Sequence, residues 1–224
     1  MNNPYILEET NDFAVVFKPP KMHTTTINNE SNLKKNDLTL LEWYAQNTTH
    51  VFDVMHRLDF ETHGLVLFAK NENAYNFLKM AQDKGEFIKE YSAICNRNNS
   101  SLKEFPVIIE SYFRPFGPGR KLVRPVVEDG KKHKEVAKDK GGFYRTEITN
   151  VNENVFTVRI KRGFRHQIRC HLCWIGFPIE NDPLYGLPNE EISPESLLSL
   201  CSHALFFPDP DSGKILKFGI KAID

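Results

Sequence analysis

Short apolar runs distributed along the whole chain predict β-strands. They are rich in β-branched or aromatic residues and are bounded by Gly, Pro, Asn or Asp, as strands commonly are. The predicted strands are residues 13–17, 65–69, 91–95, 107–109 and 155–160. Many strands interrupted irregularly by few helices do not form repeated βαβ units. The pattern therefore predicts an α+β fold with a largely antiparallel sheet.

Three segments show helical spacing instead. Residues 39–46 and 73–84 place apolar side chains three and four positions apart, and the second segment ends at a glycine. A third helix is predicted over about residues 166–175. The polar stretch 128–142 is typical of an exposed turn or hairpin. Because neither an internal repeat nor a Gly/Ser or Pro-rich linker divides the chain, we expect residues 1–224 to form one domain.

The composition indicates a compact intracellular protein. The 224 residues are 40% hydrophobic and 26% charged, enough to bury a substantial core without disulfides or a metal. The first residues lack the features of a signal peptide, and no apolar run is long enough to cross a bilayer. Four cysteines are too few for a disulfide scaffold. We therefore expect a cytoplasmic location and reduced thiols.

Positive charge is unevenly distributed, although 29 Lys+Arg and 29 Asp+Glu give a formal net charge of zero. Residues 114–145 contain ten Lys or Arg against four Asp or Glu. Such a local excess is either a solvated face or a surface that binds phosphates. Under the second interpretation, the candidate phosphate contacts include Lys131, Lys132 and Lys134.

A polar loop precedes the apolar run 65–69. Its charged and histidine side chains are His56, Arg57, Asp59, Glu61 and His63. Loops held by a rigid sheet commonly carry reactive groups. The same spacing fits an ordinary turn in which Asp59 caps the backbone and His56 packs locally. On spacing alone, both interpretations stay open.

Two arginines lie close together near the start of the third predicted helix. In a helix from His166, Arg165 and Arg169 share one face, where the helix macrodipole favours acidic residues. Two arginines at this place indicate an anion between them, either a carboxylate or a phosphate.

The same segment contains Cys170 and Cys173 with histidines beside them, so zinc has to be considered. A structural zinc site needs a second well-spaced pair of ligands, and the other two cysteines, Cys95 and Cys201, are isolated. We therefore expect no metal.

A further short segment places Lys89 and Tyr91 on one face of a predicted strand. A tyrosine in a strand more often packs in a core than takes part in chemistry. By itself, this segment does not show whether Tyr91 packs in the core or takes part in chemistry.

Taken together and in this order, these segments resemble the RluA-type family of RNA pseudouridine synthases. That family shows the patterns H-R-L-D-x-x-T-S-G-L, K-x-Y-x-A, G-R-x-H-Q-I-R-x-H and G-x-P-I-x-G-D-x-x-Y-G. The matching residues here are 56–59, 62, 64–65, 89, 91, 93, 163, 166–169, 171, 176, 178–179, 182 and 185–186. The flanks 6–20 and 202–208 are similar as well, so the resemblance covers nearly the whole chain. It implies a mixed, largely antiparallel sheet with a central catalytic cleft and flanking helices.

The resemblance also implies roles for individual residues. It identifies Asp59 as the catalytic aspartate, Tyr91 as the active-site tyrosine and Arg169 as the arginine that pairs with the aspartate. Additional RNA contacts are expected from His56, Arg57, Lys89, Arg165 and His166, and from Lys131, Lys132 and Lys134.

The implied reaction is isomerisation of uridine to pseudouridine in structured ribosomal or transfer RNA. It needs neither a cofactor nor a metal, and we expect no membrane and no obligate protein partner. The sequence leaves no room for the N-terminal RNA-binding module of many relatives, so we expect the catalytic domain alone to hold the RNA.

Four residues depart from the family pattern. They are Phe60, His63, Phe164 and Asn181. None is one of the three implied catalytic residues, so the departures bear on substrate choice and leave the implied chemistry unchanged.

Two other functions are considered. A catalytically silent RNA-binding protein of the same fold would not need the implied catalytic residues, which are all present. A glycosidase or nucleoside hydrolase also cleaves a bond at C1′, but such enzymes usually need two carboxylates working together. The matched motifs supply one.

Overall fold

The computed structural model describes residues 3–26, 38–96, 102, 104–127, 143–188 and 191–223. The chain divides into two compact units. Unit 1 consists of Met1–Lys89 with Cys201–Ala222, and unit 2 consists of Glu90–Leu200 with Ile223–Asp224. Each unit is built on strands, and the functional residues predicted above are divided between them.

Eleven strands and three helices are formed by the described residues. The strands are β1 (Tyr5–Glu9), β2 (Phe13–Lys18), β3 (Asp53–Val54), β4 (His63–Ala69), β5 (Ile88–Ile94), β6 (Val107–Phe116), β7 (Leu122–Val126), β8 (Tyr144–Asn152), β9 (Val155–Ile160), β10 (Leu200–Pro208) and β11 (Ile215–Gly219). The helices are α1 (Leu40–Asn47), α2 (Glu72–Lys84) and α3 (Gln167–Trp174). In the part of the chain that the structure covers, no helix has the length and apolar character needed to cross a membrane.

Unit 1 has a mixed sheet. The strands β1, β2 and β4 are antiparallel neighbours, and β3 is antiparallel to β4. The strand β10 lies parallel to β4 and antiparallel to β11. All six residues of β2 are buried, as are the last six of β4. Both strands are therefore covered on two faces, which explains their continuous apolar sequences.

Helix α2 packs against the unit 1 sheet because its apolar stripe joins the sheet's core. Leu78 belongs to the same buried cluster as Leu65 and Leu67 of β4. The Asn71 side chain caps the start of the helix by accepting a hydrogen bond from the Ala74 N–H at 2.9 Å. Gly85 ends the helix in the left-handed conformation, with φ 75°.

Unit 2 has a sheet in the order β5, β9, β8, β6, β7. Within it, β9, β8, β6 and β7 pair antiparallel in that order. The inward side of β6 and β7 contributes Phe113 and Val123 to a small core that also contains Tyr144, Cys170 and Tyr185. Helix α3 is anchored in this core through Cys170, and this contact fixes the position of Arg169.

The α+β fold predicted from the sequence is confirmed. Each predicted strand corresponds to an observed one, and each predicted helix is present with its bounds shifted by at most one residue. The strand predicted at 107–109 is much longer, because β6 continues to Phe116. The predicted turn or hairpin at 128–142 lies outside the described residues.

Gly64 lies in close contact with the backbone of β10. It has φ +123° and lies opposite Ser202 in the parallel β4–β10 pair. A Cβ added there would press on the Ser202 carbonyl oxygen and lie 2.6 Å from the Ser202 nitrogen. Only glycine fits, because both the conformation and the space exclude a side chain.

We predict that Gly64→Ala lowers the free energy of unfolding by more than about 3 kcal/mol, from backbone strain together with the clash. Gly213→Ala is the matched control in the same unit. Gly213 also has a positive φ, +69°, but nothing lies within 4 Å of its added Cβ. The control should cost about 1–2 kcal/mol. Urea unfolding measures both, and equal losses would contradict the assigned role of the close contact.

Candidate functional site

Asp59 lies in the loop between β3 and β4 of unit 1, and its side chain is half-buried. Its own carbonyl accepts a hydrogen bond from the Thr62 N–H at 3.2 Å, which closes a turn. The main-chain groups on either side of Asp59 are held by the last residue of β2, Lys18, and by Thr24 in the segment that follows β2.

The Thr24 hydroxyl holds the residue before Asp59 at two points. It donates to the Leu58 carbonyl at 3.1 Å and accepts from the Leu58 N–H at 3.1 Å. Thr24 is 3% exposed and Leu58 is 8% exposed, so both bonds are shielded from water. One buried hydroxyl therefore satisfies both backbone groups of Leu58.

The Lys18 ammonium group holds the residue after Asp59. It donates to the carbonyls of Pro19, Met22 and Phe60 at 3.0, 2.7 and 3.3 Å. Burial lowers the pKa of Lys18 to about 7, and the carboxylates of Asp59 and Glu61 act in the opposite direction. A buried cation with three carbonyl acceptors thus lies beneath the loop.

The surface around Asp59 is partly aromatic and partly basic. Arg57 is exposed, with Nη1 3.5 Å from the Thr25 hydroxyl. Phe60 is 39% exposed, and its ring centroid lies 4.6 Å from that of His23. The position of Arg57 is compatible with the predicted RNA contact, which stays a prediction.

Lys89 is buried and His56 is half-buried, and the RNA contacts expected of them stay predictions. Lys89 is 2% exposed, with Nζ 4.6 Å from the centre of the Phe87 ring. Burial lowers its pKa to about 7. His56 accepts a hydrogen bond from the Leu67 N–H at 3.3 Å. Burial, and to a lesser degree the charge of Lys89, hold the pKa of His56 well below its usual value. The imidazole of His56 is therefore neutral at pH 7.

Arg169 in unit 2 is fully buried and pairs with Asp182. Its Nε donates to one carboxylate oxygen of Asp182 at 2.8 Å and its Nη2 donates to the other at 2.7 Å. The same carboxylate accepts from the N–H groups of Leu184 and Tyr185. A guanidinium has five N–H donors, and this bidentate pair uses two of them. The sequence analysis matched Asp182 to the family pattern but gave it no role.

Arg165 has surroundings different from those of Arg169. Helix α3 begins at Gln167, because His166 takes the left-handed conformation with φ 56° and therefore cannot extend the helix. Arg165 is consequently outside the helix and exposed, and its Nη2 donates to the Arg120 carbonyl at 2.7 Å. The prediction that Arg165 and Arg169 share one face of a helix is therefore wrong, and the carboxylate of Asp182 is bound by Arg169 and not by Arg165.

A buried polar network fixes the first turn of α3. The Gln167 side chain accepts from the Phe164 N–H at 2.9 Å and donates to the Thr146 hydroxyl at 3.0 Å. His171 lies between the hydroxyls of Thr146 and Ser111, each 2.8 Å from a ring nitrogen. Burial lowers the pKa of His171 to about 4, so the ring is neutral at pH 7.

His166 is half-buried, and its Nδ1 lies 3.1 Å from the Tyr185 hydroxyl. That hydroxyl also accepts from the Val123 N–H of β7 at 2.9 Å. The Tyr185 ring centre lies 5.6 Å from the guanidinium carbon of Arg169. Tyr185 therefore connects the start of α3, Arg169 and β7.

Tyr91 lies in β5 and is 5% exposed. It belongs to unit 2, as Arg169 does, whereas Asp59 belongs to unit 1. Lys131, Lys132 and Lys134 lie outside the described residues. Among the residues that are described, no group of three or more His, Cys, Asp or Glu side chains is placed to hold a metal ion.

Two departures from the family pattern have a structural explanation. Asn181 has φ 58°, a conformation that asparagine tolerates better than most residues, so it can replace the family's glycine. Phe164 stacks on Phe113 with ring centroids 5.0 Å apart and planes 6° apart. Phe164 thus contributes to the core beneath α3.

We predict that Thr24→Val lowers the free energy of unfolding by about 2 kcal/mol or more, because it leaves both buried backbone groups of Leu58 without their partner. Thr24→Ser keeps the hydroxyl and should cost about 1 kcal/mol. Urea unfolding gives the stabilities, and hydrogen exchange of the Leu58 amide reports the local bond. Unchanged protection of that amide in the valine variant would contradict the assignment.

We also predict that Asp182→Asn lowers the free energy of unfolding by about 3 kcal/mol or more, because it removes the charged partner of a buried arginine. The control is Glu110→Gln, which removes a carboxylate 3.6 Å from the half-exposed Arg145. A pair at the surface should contribute about 0–1 kcal/mol. Chemical denaturation compares the two variants, and similar small losses would show that the buried pair is not critical for stability.

Comparison with known proteins was made for sequence and for structure. The family described as RNA pseudouridylate synthase matches residues 12–174. An uncharacterized protein of Caenorhabditis elegans is 32% identical over 187 residues, which are 81% of this chain and 38% of that protein. An uncharacterized RNA pseudouridine synthase of Bacillus subtilis, YjbO, is 30% identical over 159 residues, 68% of this chain and 51% of that protein.

A third relative carries a more specific name. Ribosomal large subunit pseudouridine synthase D of Buchnera aphidicola is 26% identical over 185 residues, which are 80% of this chain and 53% of that protein. The chain thus spans between 38% and 53% of the length of these three relatives.

Two solved human structures are similar in fold. RNA Pseudouridylate Synthase Domain Containing 1 has a TM-score of 0.70 at 20% identity, covering 98% of this chain and 84% of that one. RNA Pseudouridylate Synthase Domain Containing 4 has a TM-score of 0.65 at 17% identity, covering 97% of this chain and 88% of that one. These likenesses confirm the fold that the sequence motifs implied. The family match extends over more than half of the chain, and the chain therefore belongs to the RNA pseudouridylate synthase family.

Proposed function

We propose that this protein is an RNA pseudouridine synthase that isomerises one or more uridines in structured ribosomal or transfer RNA, with Asp59 as the catalytic aspartate. The observation that carries the proposal is the family match over residues 12–174, which includes Asp59, Tyr91 and Arg169 in the order of the family's motifs. We propose that residues 1–224 act as one catalytic domain, without a cofactor or an obligate protein partner.

The reaction rearranges bonds within one nucleotide. The bond between N1 and C1′ breaks, the uracil rotates in the site, and C1′ bonds to C5 instead. The hydrogen of C5 leaves as a proton and N1 gains one, so atoms and electrons balance without an oxidant or a hydrolytic water. The target base cannot be reached inside a stack and must be flipped out, which costs a few kcal/mol.

We assign to Asp59 the step in which the bond at the sugar carbon C1′ is broken. Its carboxylate either attacks C1′ directly or promotes loss of the 2′-proton to give a glycal intermediate. Either route needs the carboxylate at a fixed place. The hydrogen bonds from Thr24 and Lys18 support the assignment, because they fix the main chain on both sides of Asp59.

Tyr91 and Arg169 complete the proposed machinery. Tyr91 would stack on the flipped base and act as general base at C5. Arg169 would orient the Asp59 carboxylate and favour its charged form. The bidentate pair with Asp182 supports an orienting role, because it fixes the plane of the guanidinium.

The substrate class rests on two supports. The Buchnera aphidicola relative is named as a synthase of the large ribosomal subunit. The surface beside Asp59 has an exposed Arg57 and an exposed Phe60, which offer a cation for a phosphate and a ring for an unstacked base. A cytoplasmic location follows as an expectation from this substrate.

The test is release of tritium from RNA labelled at uridine C5, because isomerisation expels that hydrogen. We expect release by the wild-type protein and none by Asp59→Asn, with RNA binding retained. Glu61→Gln is the matched control, because Glu61 is a half-buried carboxylate of the same loop. It should release tritium like wild type. The RNA is total RNA from cells that lack the enzyme.

Release by Asp59→Asn would remove Asp59 from the catalytic role. Binding without release by the wild-type protein would favour a catalytically silent RNA-binding protein. Free uracil in the reaction would indicate a hydrolase instead.

A further inference from the structure

Two aromatic rings are in contact beside Asp59 on unit 1. The ring centroids of His23 and Phe60 are 4.6 Å apart, and the ring planes are inclined by 39°. This separation is typical of an aromatic contact. Phe60 is 39% exposed in spite of that contact, so part of its surface is open to a ligand. His23 and Phe60 are called the loop pair below.

The main chain that carries Phe60 is fixed. The Phe60 carbonyl accepts a hydrogen bond from Lys18 Nζ at 3.3 Å. One residue earlier, the Asp59 carbonyl accepts from the Thr62 N–H at 3.2 Å. The ring of Phe60 therefore changes its place relative to Asp59 mainly through rotation of its own side-chain bonds.

The main chain that carries His23 is fixed as well. The His23 carbonyl accepts from the Leu40 N–H of α1 at 2.8 Å. The next residue is Thr24, whose hydroxyl binds both main-chain groups of Leu58. Because Leu58 lies two residues before Phe60, the bonds of Thr24 bring the two rings of the loop pair together.

Rings held in this way are suited to stack on a nucleobase. Unpaired RNA bases commonly stack on the side chains of aromatic residues and histidine. Because the rings of the loop pair already touch and their main chain is fixed, binding a base orders few additional side-chain torsions. The exposed Arg57 of the same loop supplies a cation for a phosphate of the bound strand.

A second aromatic pair of unit 1 shows why location matters, since exposed apolar side chains are by themselves ordinary. Phe52 is 48% exposed, and its ring centroid lies 5.3 Å from that of Tyr75. The Phe52 N–H donates to the carbonyl of Ala69, the last residue of β4, whereas Asp59 precedes the first. The length of β4, about 20 Å, separates these two ends. Phe52 and Tyr75 are called the distal pair.

We propose that the loop pair is the stacking site for the base that neighbours the target uridine in the RNA. The inference rests on the proposed function, because Asp59 defines where the target uridine lies. When the target is flipped out, the neighbouring base loses a stacking partner, and the Phe60 ring takes that place. Such stacking tolerates any base. Phe60, a departure from the family pattern, therefore favours targets with an unpaired neighbour and not a particular sequence.

The test measures by anisotropy the affinity for two fluorescein-labelled RNA hairpins. The loop of the first hairpin carries one uridine between two adenosines, and abasic nucleotides replace both adenosines in the second. The wild-type protein should bind the first hairpin about 5- to 150-fold more tightly, the range that one stack of a base on an aromatic side chain contributes. Phe60→Ala should lose this preference and bind the second hairpin as wild type does.

Phe52→Ala is the matched control, because it removes an exposed ring of the distal pair from the same unit. It should bind both hairpins like wild type. Phe60→Leu separates stacking from folding, since it keeps an apolar side chain without a flat ring. We expect it to lose the preference at a urea midpoint near that of wild type. Phe60→Trp restores a ring and should keep the preference.

Three results would overturn the stacking site. The first is equal binding of the two hairpins by the wild-type protein. The second is a Phe60→Ala variant that loses the same affinity for both hairpins, because its effect would then not depend on the neighbouring base. The third is a full preference in Phe60→Leu, because leucine has no ring on which a base can stack.

These outcomes are distinguishable from failure of the synthase assignment. Tritium release by a wild-type protein whose Phe60→Ala variant keeps the preference would sustain the proposed function and overturn the stacking site. A preference that depends on Phe60, without tritium release from total RNA by wild type, would sustain the stacking site and overturn the synthase.

Discussion

The buried ion pair between Arg169 and Asp182 is the interaction on which the organisation of unit 2 depends. Both side chains are fully withdrawn from water, and such burial costs several kcal/mol per ion before any attraction is gained. The cost is offset because the pair is bidentate and the carboxylate also accepts two backbone N–H groups. Apolar residues of similar volume would stabilise the fold at least as well. The pair is therefore best explained by the need to hold a guanidinium in one orientation.

Neutral polar groups do the rest of the positioning around α3. His171 is kept uncharged by burial and bridges the hydroxyls of Ser111 and Thr146, while Gln167 connects Thr146 to the start of the helix. A network in which each member has a partner permits one arrangement of its members, since any shift leaves a buried polar atom unsatisfied. The strands that carry Ser111 and Thr146 thereby set the rotation of α3, and with it the direction of Arg169.

Much of the fold could be predicted from the sequence, and two of the parts that were missed share one physical cause. Continuous apolar runs revealed β2 and β4, and caps with regular spacing revealed α2. The full length of β6 and the whole of β8 were missed because the inward positions Ser111 and Thr146 are polar, which hides the alternation. Ser111 and Thr146 can be buried because the His171 ring forms a hydrogen bond with each of their hydroxyls. A hydrogen-bond partner that lies 25 or more residues away along the chain cannot be recognised from the local sequence pattern. Family motifs located Asp59, Tyr91 and Arg169.

The motifs also gave no role to the positioning partners, for a similar reason. Thr24 and Asp182 act through contacts between segments that no spacing rule connects. Helix α3 begins one residue later than periodicity indicated, because His166 has the left-handed conformation. Burial is also not visible in the motifs. Lys89 is buried and His56 is half-buried in unit 1, and their RNA contacts stay predictions.

The two units hold Asp59 and Arg169, the side chains proposed to be catalytic, in different ways. In unit 2, a side-chain pair fixes Arg169, so a change at Asp182 acts directly on it. In unit 1, Thr24 and Lys18 bind only main-chain atoms of the residues on either side of Asp59. The side chain of Phe60 is therefore not part of the anchor and remains 39% exposed. A departure from the family pattern at this position can change the proposed RNA-binding surface without moving the Asp59 carboxylate.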